Sequence, residues 1–176
     1  MTFPARSFLL SLLIFAGLMG PVLAADPVAR MTAHLEAHPD GGAAFSFDRS
    51  SYLGDRSSLP IGVFDSGVGG LTVLEAILTL DVFHNDSLQP GPDGRPDFAA
   101  ERFLYLGDQA NMPYGNYANV GKVDYLRELI LKDTVFLLGN RYHQDGMVRR
   151  DKPPVKAIVI ACNTATAYGL EDIKAL

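Results

Sequence analysis

From Pro60 to Leu176 the chain alternates short apolar runs, rich in β-branched residues, with longer stretches whose apolar residues recur at helical spacing, which leaves few folds open. The runs Ile61 to Phe64, Phe103 to Leu106 and Val155 to Ile160 predict strands, and Gly70 to Leu80, Val120 to Leu138 and Thr164 to Leu176 predict helices. Strands that alternate with helices are joined by right-handed crossovers and run parallel. The expected class is therefore α/β, a parallel sheet with flanking helices. Because the runs are nearly continuous, each strand is expected to be buried on both faces.

Two stretches break the rhythm. Asp81 to Ala100 carries Pro90, Gly91, Pro92, Gly94 and Pro96, and Asn140 to Pro154 has no clear period, so both predict surface insertions. The acidic residues of the first do not follow a calcium-loop pattern.

Upstream, the first two dozen residues differ in kind. Arg6 precedes a nearly unbroken apolar segment from Phe8 to Met19, and Gly20-Pro21 ends it. With Val22-Leu23-Ala24 supplying small residues at the positions a signal peptidase reads, residues 1–24 predict a secretory signal cleaved before Ala25. The apolar run is shorter than the ~20 residues that span a bilayer, so no membrane anchor is expected after cleavage. A periplasmic or extracellular location follows. Residues 25–58 form a polar extension in which Pro27 to His38 predicts one amphipathic helix. His34 and His38 share a face of it, yet nothing nearby completes a ligand set, and no metal site is expected. Residues 59–176 form the α/β unit.

Fifteen basic residues against twenty acidic ones give a net charge of −5 with no extended basic run, which disfavours nucleic acid as a partner. Cys162 is the only cysteine, so no disulfide within the chain can stabilise it. A cysteine of this kind either packs as a small hydrophobe or reacts.

The strand ends favour reaction. In a parallel sheet the loops that follow the strands gather along one edge, where ligands bind. Here they read Asp65-Ser66-Gly67-Val68-Gly69-Gly70, then Gly107-Asp108 leading to Pro113-Tyr114-Gly115, then Ala161-Cys162-Asn163-Thr164. The glycines of the first loop and the helix start behind it predict an anion site, although the spacing is neither a dinucleotide fingerprint nor a P-loop. Asp65 would repel a phosphate, so the ligand should carry a positive group as well as a negative one. In the third loop Cys162 stands just before a helix, whose unpaired N–H groups favour the thiolate. Asn163 and Thr164 add polar groups beside it.

These loops resemble the glutamate racemases within the aspartate/glutamate racemase family. The matching stretches are Ile61 to Leu71, Tyr105 to Asp108 with Pro113 to Gly115, and Val159 to Ala165. The resemblance begins near Pro60 and implies the first lobe of a two-lobed racemase fold, with an amino acid held between lobes that each supply a cysteine. It implies a reaction without a cofactor, in which one thiolate removes the α-proton and a thiol on the opposite face returns one. Carried over, Cys162 would be the acid or base of this lobe and Asp65 its polar neighbour in catalysis. Ser66, Pro113, Tyr114, Gly115, Asn163 and Thr164 would line the substrate site. The partner implied is glutamate or aspartate, in the supply of D-amino acids for cell-wall peptidoglycan, and a homodimer is left open.

The Gly-Cys-Thr-His run of the second lobe does not occur in these 176 residues, so the chain is expected to be an N-terminal fragment, inactive by itself. Two other readings stay open. One is a racemase of the aspartate or hydantoin type, against which the Pro-Tyr-Gly loop favours glutamate. The other is an exported amino-acid-binding protein that does not turn its ligand over.

Overall fold

A computed structural model describes residues 25–176, and the expected signal segment lies outside the described residues. Three strands, β1 (Ile61–Asp65), β2 (Phe103–Gly107) and β5 (Ala157–Ile160), form a parallel sheet in the order β2-β1-β5. The α/β class read from the alternation is what is found. Ile61 pairs with Phe103 on one side and Ala157 on the other, and Asp65 stands level with Gly107. The chain leaves central β1 for one flank and later returns to the other, so the order reverses at β1. That reversal opens a crevice at the carboxyl ends of the strands.

Only β1 meets the expectation of strands buried on both faces. Val63 and Phe64 point to opposite sides and are both fully buried, whereas β2 and β5 are half-buried throughout or exposed at Ala157. A three-stranded sheet has two edge strands, and the helix after β1, α2 (Leu71–Leu78), buries none of its residues. The covered face carries Phe64, Leu104, Leu106, Ile158 and Ile160, packed against α4 (Val123–Leu138) and α5 (Asn163–Lys174).

The helix expected over Val120 to Leu138 is found as α4, from Val123, and a short helix that was not expected precedes it. A short α3 (Gly115–Asn119) ends where Lys122 N–H bonds to Tyr117 C=O at 2.8 Å and Gly121 N–H to Ala118 C=O at 3.2 Å, with Gly121 at φ +71°. This crossed pair of bonds closes a helix on a left-handed residue, which glycine adopts without a Cβ clash. Helix α4 then starts afresh at Val123.

Helix α4 is buried on two sides. Leu126, Leu129, Ile130 and Leu137 face the sheet and α5, while Leu131 and Val135 receive Met31 and Leu35 from α1 (Pro27–Ala37). The amphipathic helix expected in the extension therefore has a definite partner. Arg127 ties the layers together, bonding Asp172 of α5 through two nitrogens at 2.6 and 2.8 Å and reaching Asp26 at the cap of α1 at 2.8 Å. The forked contact with Asp172 orients the helices as well as attracting them, and the single bond to Asp26 adds the third layer. Further on, the Tyr52 hydroxyl donates to Leu138 C=O at 2.8 Å, which fastens the end of the extension to the end of α4.

Both insertions lie on the surface. The first holds itself with carboxylates: Asp81 accepts from the N–H groups of Asp93 and Gly94, and Asp97 from those of Val82 and Phe83. The second contains a hairpin, β3 (Tyr142–Gln144) with β4 (Met147–Arg149), turned on Asp145-Gly146 with both φ positive. Asp-Gly is the strongest short hairpin signal, and here it sits between exposed strands whose side chains show little alternation.

Candidate functional site

The ends of β1, β2 and β5 bring Asp65, Ser66 and Cys162 together. Cys162 is the N-cap of α5; its sulfur accepts from Ala165 N–H at 3.4 Å and lies 3.4 Å from Ser66 Oγ. Residue types that cap helices usually offer an oxygen to the orphan amides of the first turn, and here a sulfur takes that place. The cysteine is 7% exposed, at the mouth of the sheet and continuous with the core through Ala165 and Ile160. Asn163 and Thr164 open α5, the first exposed and the second half-buried.

Asp65 is buried, and one of its oxygens is held within the lobe. Its Oδ2 accepts from Gly70 N–H at 2.8 Å and from the Tyr105 hydroxyl at 3.2 Å; the same hydroxyl lies 3.0 Å from Gly67 C=O. The expected anion cradle is altered by this. Gly70 N–H is turned onto a carboxylate, and Leu71 and Thr72 N–H bond back to Val68 and Gly69 carbonyls. A buried carboxylate must be hydrogen-bonded, and one amide of the helix start, Gly70 N–H, and the Tyr105 hydroxyl supply those bonds.

The second loop divides. A carbon built on Gly67 would touch Met112 Sδ at 3.6 Å, so this loop lies beside the first. Pro113 and Gly115 are exposed, but the Tyr114 ring is turned inward and 1% exposed, edge-on to Phe64 at 6.3 Å between centroids. Its hydroxyl lies 2.7 Å from Asp108 Oδ2 and 2.6 Å from Asp133 Oδ2 of α4. The Tyr114 side chain is therefore placed beneath the loop, closed off from solvent.

Three neighbours of the candidate site were not among the site residues read from the sequence. Tyr105 alternates with Leu104 and Leu106 along β2, so period two puts its ring on the opposite face from the core, where its hydroxyl reaches Asp65. Met112 carries no polar signal. Asp133 interrupts an apolar stretch of α4, which a search for polar residues in a buried helix would have found. Burial and the neighbouring Asp65 carboxylate push the Tyr105 phenol up to about 12. It stays a donor at physiological pH.

The fold and site define an α/β lobe with a cysteine at the head of a helix, at the carboxyl edge of a parallel sheet. Comparison with known proteins places that lobe. The chain is 40% identical over 121 residues to a glutamate racemase of Clostridium novyi, covering 68% of this chain and 33% of the relative. A glutamate racemase of Carboxydothermus hydrogenoformans is 36% identical over 121 residues (68% and 32%), and one of Thermus thermophilus 39% over 115 residues (65% and 31%). No family model and no solved structure matches the chain. Over the matching stretch the chain is a homologue of the glutamate racemases. It spans about a third of the length of the curated relatives it matches.

Proposed function

We propose that the chain is the lobe of an amino-acid racemase that carries one of two proton-carrying cysteines, with glutamate as the substrate. The observation that carries this reading is Cys162 at the cap of α5, 3.4 Å from Ser66 Oγ, within a chain homologous to glutamate racemases. An α-proton is very weakly acidic, so its removal needs a positioned base and donors for the carbanion that forms. Cys162 as thiolate takes the proton from one face of the α-carbon, the C–H electron pair staying on carbon. A thiol from a second lobe returns a proton on the opposite face. Ser66 beside the sulfur, with Asn163 and Thr164 next in the chain, supplies polar contacts for the substrate's charged groups. Asp65 holds the first loop in place through Gly70 and Tyr105.

With one carrier, the 176-residue chain is expected to catalyse no sustained inversion of glutamate or aspartate. The test is to incubate it with L-glutamate in deuterium oxide and follow both the α-hydrogen by mass and the configuration, while mapping iodoacetamide labelling of Cys162. The reading expects no accumulation of the D-isomer by the chain alone and, once a second lobe completes the site, labelling of Cys162 slowed by glutamate. Sustained inversion would reveal a second proton carrier in these residues and overturn the one-carrier assignment. Labelling of the two-lobed protein that is indifferent to glutamate would overturn the substrate assignment. Protection by glutamate, with no exchange even after a second lobe completes the site, would instead favour an amino-acid-binding protein.

Export belongs to the same proposal, and rests on the Phe8 to Met19 segment and Val22-Leu23-Ala24. Amino-terminal sequencing of the protein from its native cells is expected to begin at Ala25. A cytosolic product starting at Met1 would refute it.

A further inference from the structure

Behind the second loop the hydrogen bonds outnumber the protons that Tyr114 can supply. Its oxygen lies 2.7 Å from Asp108 Oδ2 and 2.6 Å from Asp133 Oδ2, yet a phenol has one proton and donates along one line. Two bare oxygens that close repel, so a carboxyl must donate along the other. Asn111 Nδ2 donates to both oxygens of Asp108 at 2.9 Å, which favours Asp108 as the ionised acceptor. The proton then sits on Asp133. Asp133 donates to Tyr114, and Tyr114 donates to Asp108.

We propose that this pair of bonds is a proton-operated latch, fastening the segment from Asp108 to Gly115 onto α4 while Asp133 is protonated and releasing it when that proton leaves. The groups facing Asp133 are Tyr114 from the start of α3 and Asp108 from the end of β2. Tyr117 of α3 stands edge-on to Tyr114 at 6.2 Å, and from the sheet the Phe64 ring stands edge-on to it at 6.3 Å within an apolar cluster. Along α4, Lys132 is drawn to Glu128 at 2.5 Å and Arg127 to Asp172 and Asp26; from α5, Lys174 pairs with Glu171. Among the described residues no cation is paired with Asp108 or Asp133 to hold both ionised.

Burial, opposed by the Tyr114 hydrogen bond and assisted by Asp108, lifts the Asp133 carboxyl from its ordinary 3.8 to about 7. A carboxyl raised on folding contributes stability that is full below its unfolded value and lost as pH rises through the folded one. The latch therefore closes in mild acid and opens above neutrality. It does not depend on the activity proposed above, and its failure would leave that proposal untouched.

The test is amide hydrogen exchange on the full chain at about pH 5.5 and about pH 8, corrected for intrinsic exchange chemistry. Residues 108–117 are expected to lose about tenfold more protection than the α4 core between the two conditions, one decade being the effect of a single pKa unit. Asp133→Asn, whose amide can still donate to Tyr114, is expected to keep the segment protected at both. Equal wild-type protection at the two pH values, or an undiminished pH response in Asp133→Asn, would overturn the latch. Carbon-13 NMR of the Asp133 carboxyl in the wild-type chain decides the matter even if the variant does not fold. A midpoint near 7 supports the latch, and one below about 5, in the normal carboxylate range, overturns it.

Discussion

Cys162→Ser is expected to lower kcat for glutamate racemisation by about a thousandfold or more, while leaving the fold intact, once a second lobe completes the site. General acid–base groups contribute about 10² to 10⁴ in rate, and a hydroxyl is far too weak an acid to be the base at neutral pH. The fold should persist because serine is a good helix cap and its oxygen can accept from Ala165 N–H as the sulfur does. A side chain at the cap that is 7% exposed leaves little cavity when sulfur becomes oxygen. Steady-state kinetics beside thermal denaturation separate the two roles. A variant that loses stability but retains turnover would make Cys162 a packing residue and remove the mechanism.

Gly107→Ala is expected to cost about 3 kcal/mol or more and to displace the Ser66 loop. The added carbon would run into Gly67 C=O and would also crowd the Tyr105 ring at 3.3 Å. Overpacking of a core costs about 1 to 3 kcal/mol where side chains can yield, and here the obstacle is backbone. Gly67 can retreat only by breaking the Tyr105 hydroxyl contact, which shifts Ser66 away from Cys162. Gly115→Ala is the control, since a carbon there meets nothing within 4 Å, and its cost should stay within about 0.5 kcal/mol. Urea denaturation of both variants measures the difference. Equal stabilities would mean that the β1 and β2 ends can separate without penalty, and the site would then not be held by their contact.

The loops at the sheet edge were legible because a parallel sheet sends every strand end to the same side. Asp65, Ser66 and Cys162 could therefore be grouped before any coordinate was known, although 96 residues separate the serine from the cysteine. Tyr114 could not be placed in the same way. A tyrosine in a polar loop is free to turn outward or inward, and only the arrival of Asp133 from α4, 19 residues on, supplies its inward partner. The same limit applied to the short helix α3, which the sequence did not announce. The crossed bonds of Lys122 to Tyr117 and Gly121 to Ala118 that close it appear only in the folded chain.

The order of polar and apolar residues by itself determined the α/β class, the parallel sheet and the edge where the reactive groups gather, because periodicity records how each element is buried along its own length. Which elements meet was decided only by the tertiary structure. The periodicity of Leu71 to Leu78 resembles that of a core helix, yet Leu71 and Leu78 are each 47% exposed, whereas the less apolar α1 is docked on α4. Helix α4 can accept α1 because Leu131 and Val135 emerge on the side away from the sheet, and Arg127 fixes the angle through Asp26 and Asp172. Contacts between residues 98 to 101 positions apart, as in Arg30 with Glu128 and Arg127 with Asp26, leave no periodic trace in the chain. They arise from shape and charge matched across elements, which exist only once those elements have packed.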